Sequence, residues 1–110
     1  MSTQGISDET LEAKLRCAEE ILEKYGAVPL DINQRNREAL KQRRTYQYKS
    51  NYYRFDHAAY DDKQFLIVSC TDIEEYAAIG LMEDVDAIPA ESTEPEIERC
   101  VRRALKLSDE

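Results

Sequence analysis

Residues 45–55, Thr-Tyr-Gln-Tyr-Lys-Ser-Asn-Tyr-Tyr-Arg-Phe, set the aromatic rings of Tyr46, Tyr48 and Tyr52 in alternation with the polar Gln47, Lys49 and Asn51. Aromatic residues at period two predict a β-strand. Residues 64–70, Gln-Phe-Leu-Ile-Val-Ser-Cys, are apolar at successive positions and β-branched, which predicts a central strand covered on both faces. Between them, residues 56–63 hold the turn formers Asp61 and Asp62 and read as a connection.

Helical periodicity flanks this region on both sides. Ser7 is a suitable N-cap, Asp8 and Glu9 sit where the helix dipole favours anions, and Leu11, Leu15, Ala18, Ile21, Leu22 and Tyr25 recur at helical spacing until Gly26 offers a C-cap. At the other end Thr93 and Glu96 have capping-box spacing around Pro95, and Ile97, Cys100, Val101, Ala104 and Leu105 make one face. Arg102, Arg103 and Lys106 place cations in the last turns.

Two segments are less sharply signalled. After Val28 and Pro29 redirect the chain, Ile32, Ala39 and Leu40 give residues 31–44 only a thin apolar face, which predicts a short solvated helix. Residues 71–82 admit two readings: Thr71 and Glu74 have capping-box spacing, yet 76–82 is an apolar run of strand length one short loop after the central strand. The strand is preferred, with Gly80 marking a bulge. Residues 84–92 then read as a loop or short edge segment ending near Pro89.

The resulting order, ααβββα over residues 1–110 as a single domain, predicts an α+β two-layer fold in which a three-stranded antiparallel sheet packs against the N- and C-terminal helices. Leu66 and Val68 would face those helices. Phe65 and Ile67 would point to the opposite face, whose simplest cover is self-association, making a homo-oligomer an expected state.

Charge is sorted along the chain. Residues 32–54 hold seven basic residues against Glu38 alone, and residues 55–98 hold thirteen acids against Lys63 alone. Such asymmetry steers partners of opposite sign, so macromolecular binding is a better expectation than chemistry. The net charge of −8 argues against non-specific nucleic-acid binding by the whole molecule, because duplex affinity comes from neutralising phosphates. No apolar run reaches the ~20 residues a bilayer requires, and the first residues lack the pattern of a signal peptide, so the expected location is cytoplasmic with no membrane partner.

Chemical motifs are scarce. Cys17, Cys70 and Cys100 are odd in number, widely spaced and never in a C-x-x-C arrangement, which predicts reduced core thiols rather than disulfides or a zinc site. His57 is the sole histidine; with Asp56, Asp61 and Asp62 it lacks ligand spacing and reads as a solvent-facing turn residue. A Cys70 nucleophile activated by His57 is disfavoured by the apolar residues before Cys70, which would raise the thiol pKa. The isolated Gly5, Gly26 and Gly80 form no phosphate loop. No catalytic residue, metal or cofactor is expected, and the chain is read as non-enzymatic.

The strongest candidate surface is Arg43, Arg44, Tyr46, Tyr48, Tyr52, Tyr53 and Arg54, where cationic donors and aromatic faces interleave as they do at protein hot spots. The bland alternative is that the tyrosines pack under a helix while the cations pair with acids of the same chain. The expected function is a small acidic protein-binding module of the inhibitor, immunity or accessory kind, its partner another protein. A single-stranded nucleic-acid or nucleotide binder using residues 43–54 is the alternative. The acidic residues 72–98 are a second surface, suited to a basic partner.

Overall fold

The computed structural model describes residues 7–40 and 42–107. The segment before Ser7, Lys41 and the Leu40 side chain assigned to the second helix lie outside the described residues. Among the described residues nine elements follow in order: α1 (Asp8–Lys24), β1 (Val28–Leu30), α2 (Gln34–Leu40), β2 (Thr45–Tyr48), β3 (Asn51–Tyr60), β4 (Lys63–Thr71), α3 (Glu74–Ala78), β5 (Glu83–Pro89) and α4 (Glu94–Ala104). The class is α+β, and the five strands form one antiparallel sheet in the order β1-β2-β3-β4-β5.

The expected three-stranded sheet and ααβββα order are corrected in five places. Residues 45–55 are a hairpin rather than one strand, because Lys49 adopts a left-handed φ of 57° and turns the chain between Tyr48 and Asn51. β3 then continues through residues 56–60, read as connection, and turns only at Asp61 and Asp62, whose φ values of 53° and 65° suit the tight hairpin their side chains tolerate. Residues 76–82 are not a strand: α3 begins at Glu74, the Thr71 hydroxyl accepts the Ile73 N–H at 3.2 Å, and Gly80 at φ 77° ends the turn that follows. The strand falls instead on residues 83–89, and Val28–Leu30 adds an edge strand despite Pro29.

The helices at the two ends form as their caps dictate. The Ser7 hydroxyl accepts the Thr10 N–H at 3.1 Å, and the Glu96 carboxylate accepts the Thr93 N–H at 2.7 Å. Gly26, at φ 104°, ends α1 where a side chain would be strained.

α1 and α4 bury Leu11, Leu15, Leu22, Ile97 and Val101 against one sheet face, which supplies Tyr46, Tyr53, Phe55, Leu66, Val68 and Ile88. The other face carries Arg54 opposite Ser69 and Asp56 opposite Ile67. α3 packs over this outer face on β3 and β4, where Ile67 and Ala77 are buried outside the main cluster. Part of the cover expected from self-association is therefore intramolecular.

The three cysteines are free, with Cys100 buried and its thiol pushed up to about 12 by desolvation, while Cys17 and Cys70 are half-buried. Alkylation of the native protein at neutral pH should label Cys17 and Cys70 within the time that leaves Cys100 untouched. Mass mapping that finds Cys100 labelled first would contradict this packing.

Candidate functional site

The basic Tyr segment is brought together by the β2–β3 hairpin, but most of its side chains are turned inward. Arg43 lies across α1: its Nε and Nη2 donate to Glu19 at 2.6 and 2.9 Å, and its Nη1 and Nη2 donate to Glu12 at 2.7 and 3.2 Å. The bonds from Glu19, followed by those from Glu12, raise the Arg43 pKa still further, and Arg43 in turn holds Glu12 below the usual carboxylate range. Arg54 is buried on the outer sheet face, donating from Nε to Asp56 at 2.6 Å and from Nη1 to Gln42 at 3.3 Å. Arg44 pairs with Asp31 at 3.2 Å and is the most exposed of the three, yet its Nε is buried without a partner.

The rings divide by face. Tyr46 and Tyr53 are in the core, and burial pushes both phenols up to about 12. Tyr48 is half-buried against the core, with Lys49 Nζ 5.4 Å from its ring centre, and Tyr52 is half-buried. Of the seven residues, Arg44, Tyr48 and Tyr52 keep surface to offer a partner.

His57 and Cys70 are not brought together. In the β3–β4 register His57 lies opposite Leu66, whereas Cys70 lies opposite Tyr53, and burial raises the Cys70 thiol. His57 is exposed on β3, not on a turn, and lines a groove with Asp56, Gln42 and Arg43. Among the described residues no three His, Cys, Asp or Glu side chains converge as a metal-ligand set. His57→Ala should shift stability by no more than about 0.5 kcal/mol, as surface changes usually do. A drop above about 2 kcal/mol in urea melts would show a buried network that the geometry lacks.

A different surface concentrates features suited to binding. α3 and the chain on either side of it expose Ile73, Tyr76, Ile79 and Leu81, with Ile79 at 62% and Leu81 at 58%, whereas the exposed Val85 of β5 lies beside Cys70, Arg103 and Lys106. Between and beside them stand Asp72, Glu74, Glu75 and Glu83, all exposed, and among the described residues none of the four has a cationic partner. The sequence signal for this patch was present: the two-way ambiguity of residues 71–82 is an apolar run on an element too short to bury it. Among the described residues no helix is long and apolar enough to cross a membrane. Comparison of the chain with protein-family models, with curated proteins and with solved structures gave no match.

Proposed function

We propose that this domain is a non-enzymatic protein-binding module whose partner is a cationic protein surface, engaged through the face built by α3 and the start of β5. The observation that carries the reading is the exposed apolar group Ile73, Tyr76, Ile79 and Leu81 standing among carboxylates that have no cationic partner among the described residues. Scattered surface hydrophobics are ordinary, but a contiguous patch rimmed by polar groups is the usual mark of an interaction site. The rim charges would speed encounter and exclude acidic partners, while the apolar centre would supply most of the affinity. An inhibitor, immunity or accessory protein fits this chemistry, and three free thiols suit a reducing compartment, which we propose is the cytoplasm.

The nucleic-acid alternative through residues 43–54 has less support. Arg43 and Arg54 are occupied by Glu12, Glu19 and Asp56, and the Tyr46 and Tyr53 rings have no open face on which a base could stack.

The test is affinity capture from the native host with three baits: wild type, an Asp72→Asn, Glu74→Gln, Glu75→Gln, Glu83→Gln variant, and an Arg44→Ala, Tyr52→Ala variant. The expected result is a partner, identified by mass spectrometry, retained by wild type and by the Arg44 and Tyr52 variant but lost by the neutralised one, with all three melting alike. A partner retained by the neutralised bait and lost with Arg44 and Tyr52 would move the function to the basic hairpin.

A further inference from the structure

Strand edges expose unpaired backbone groups, and proteins commonly blunt them with proline, charge, brevity or a bulge. β1 is three residues long and carries Pro29; β5 is acidic, ends on Pro89 and meets a register shift at Val68/Ser69. A third edge lies within the sheet. β2 is paired with β3 only as far as Tyr53, whereas β3 runs to Tyr60, so among the described residues its far half has a strand on the β4 side alone. That half has no proline, no lysine and no bulge, and His57, Ala59 and Tyr60 are exposed. Beside it, where the chain before β2 diverges, is a groove of about 580 Å³ with Leu11 and Leu15 among its lining residues.

The backbone groups on this open edge follow from the hairpins. Two-residue turns close on the pairs Tyr48 with Asn51 and Tyr60 with Lys63, and pairs flanking such turns exchange hydrogen bonds. Alternation along an antiparallel ladder then directs Tyr60, Ala58 and Asp56 to β4, and Ala59 and His57 to the open side.

We propose that this edge is a self-complementary interface, on which β3 of a second copy adds antiparallel about a two-fold axis at Ala58, joining two sheets into one. In this register His57 exchanges backbone bonds with Ala59 of the second copy, and Asp56 lies across from Tyr60 of the second copy. Ala58 meets its own counterpart at the non-hydrogen-bonded position, where strands come closest and a small side chain fits. No like charges stand directly opposite, which would be destabilising. Centring the pair on His57 instead would carry Asp61 and Asp62 of the second copy opposite Tyr53 and Tyr52, which β2 already pairs.

Charge complementarity favours a second copy over a foreign strand. The register carries the turn Asp61 and Asp62 of each copy to the start of β2 in the other, where Arg43 and Arg44 stand. Asp61 and Asp62 are exposed and in no ion pair among the described residues, and the Arg44 side chain is 40% exposed with its buried Nε unpartnered. An isologous contact of this kind closes on itself and stops at two copies. It is separate from the acidic face, so either reading stands if the other fails.

Sedimentation of the full chain from micromolar to sub-millimolar concentration should show a reversible dimer. Ala59→Pro removes an N–H on the open side without touching the β4 ladder, and should leave the far-ultraviolet circular dichroism unchanged while weakening the dimer at least about tenfold. Asp61→Asn with Asp62→Gly keeps the favoured turn chemistry and should weaken it through charge alone. Ala58→Cys should oxidise to a covalent dimer linked through position 58, since closely paired Cα atoms suit a disulfide. A wild type that stays monomeric at the highest concentration, a dimer indifferent to Ala59→Pro, or an oxidised Ala58→Cys chain without the link at position 58 would each overturn the proposal.

Discussion

Arg43→Met is expected to lower the unfolding free energy by about 3 kcal/mol, the scale on which removing one partner strands a buried charge. Glu19 is the stranded group: its side chain is 12% exposed and its ion pair is with Arg43 at 2.6 Å. The change also leaves Glu12 with Arg16 alone, a pairing half in water that contributes little by comparison. Replacing Glu19 by Met together with Arg43 should recover most of the loss, because two apolar side chains of similar volume need no counter-charge. Urea denaturation of the two variants measures this, and a loss below about 1 kcal/mol for Arg43→Met would class the cluster with ordinary surface pairs. The Glu12 contribution has a definite pH sense. Its carboxyl is held low by the Arg43 bonds, so the stabilisation is present at neutral pH and disappears as pH falls through the lowered pKa.

Phe55→Ala should cost more, about 4 kcal/mol, within the range for deleting a fully buried aromatic ring. Phe55 has no solvent-accessible surface and sits opposite Val68 in the middle of the sheet, within the core cluster that the terminal helices complete. Domains of this kind have total stabilities of about 5–15 kcal/mol, so the variant should melt far below wild type or be partly unfolded at 25 °C. A calorimetric loss under about 1.5 kcal/mol would mean that the core is centred elsewhere.

The two terminal helices were legible because their signals are local. Ser7, Gly26, Thr93 and Glu96 announce helix ends within a few residues, and the apolar stripes of α1 and α4 repeat over several turns. The sheet was harder to read for two physical reasons. Lys49 adopts a left-handed conformation without being Gly, Asn or Asp, so the turn that splits 45–55 leaves no compositional trace. β5 reads as loop because its alternation is acidic: Asp86 faces Arg103 of α4 at 2.8 Å, a tertiary partner that no local window contains. The basic segment stands out in the sequence as charged and aromatic, but sequence distance hides that Glu12 and Glu19 of α1 hold Arg43. The acidic face was visible as composition; its apolar centre required knowing that α3 is too short to bury what it carries.

The strand order β1 to β5 is also the order in the chain, and this bears on how the protein reaches its native state. Each strand's neighbour is its predecessor or successor, and the two hairpins closed by Lys49 and by Asp61 and Asp62 span short loops that form in about 1–10 μs. α1 and α4, by contrast, come from opposite ends of the sequence and meet side by side over the finished sheet, tied by Lys24 to Glu98 at 3.1 Å. Closing that longest loop costs the most entropy and is rewarded only once the sheet offers a surface. Folding should therefore be limited by the docking of the two terminal helices, with the central meander assembling first.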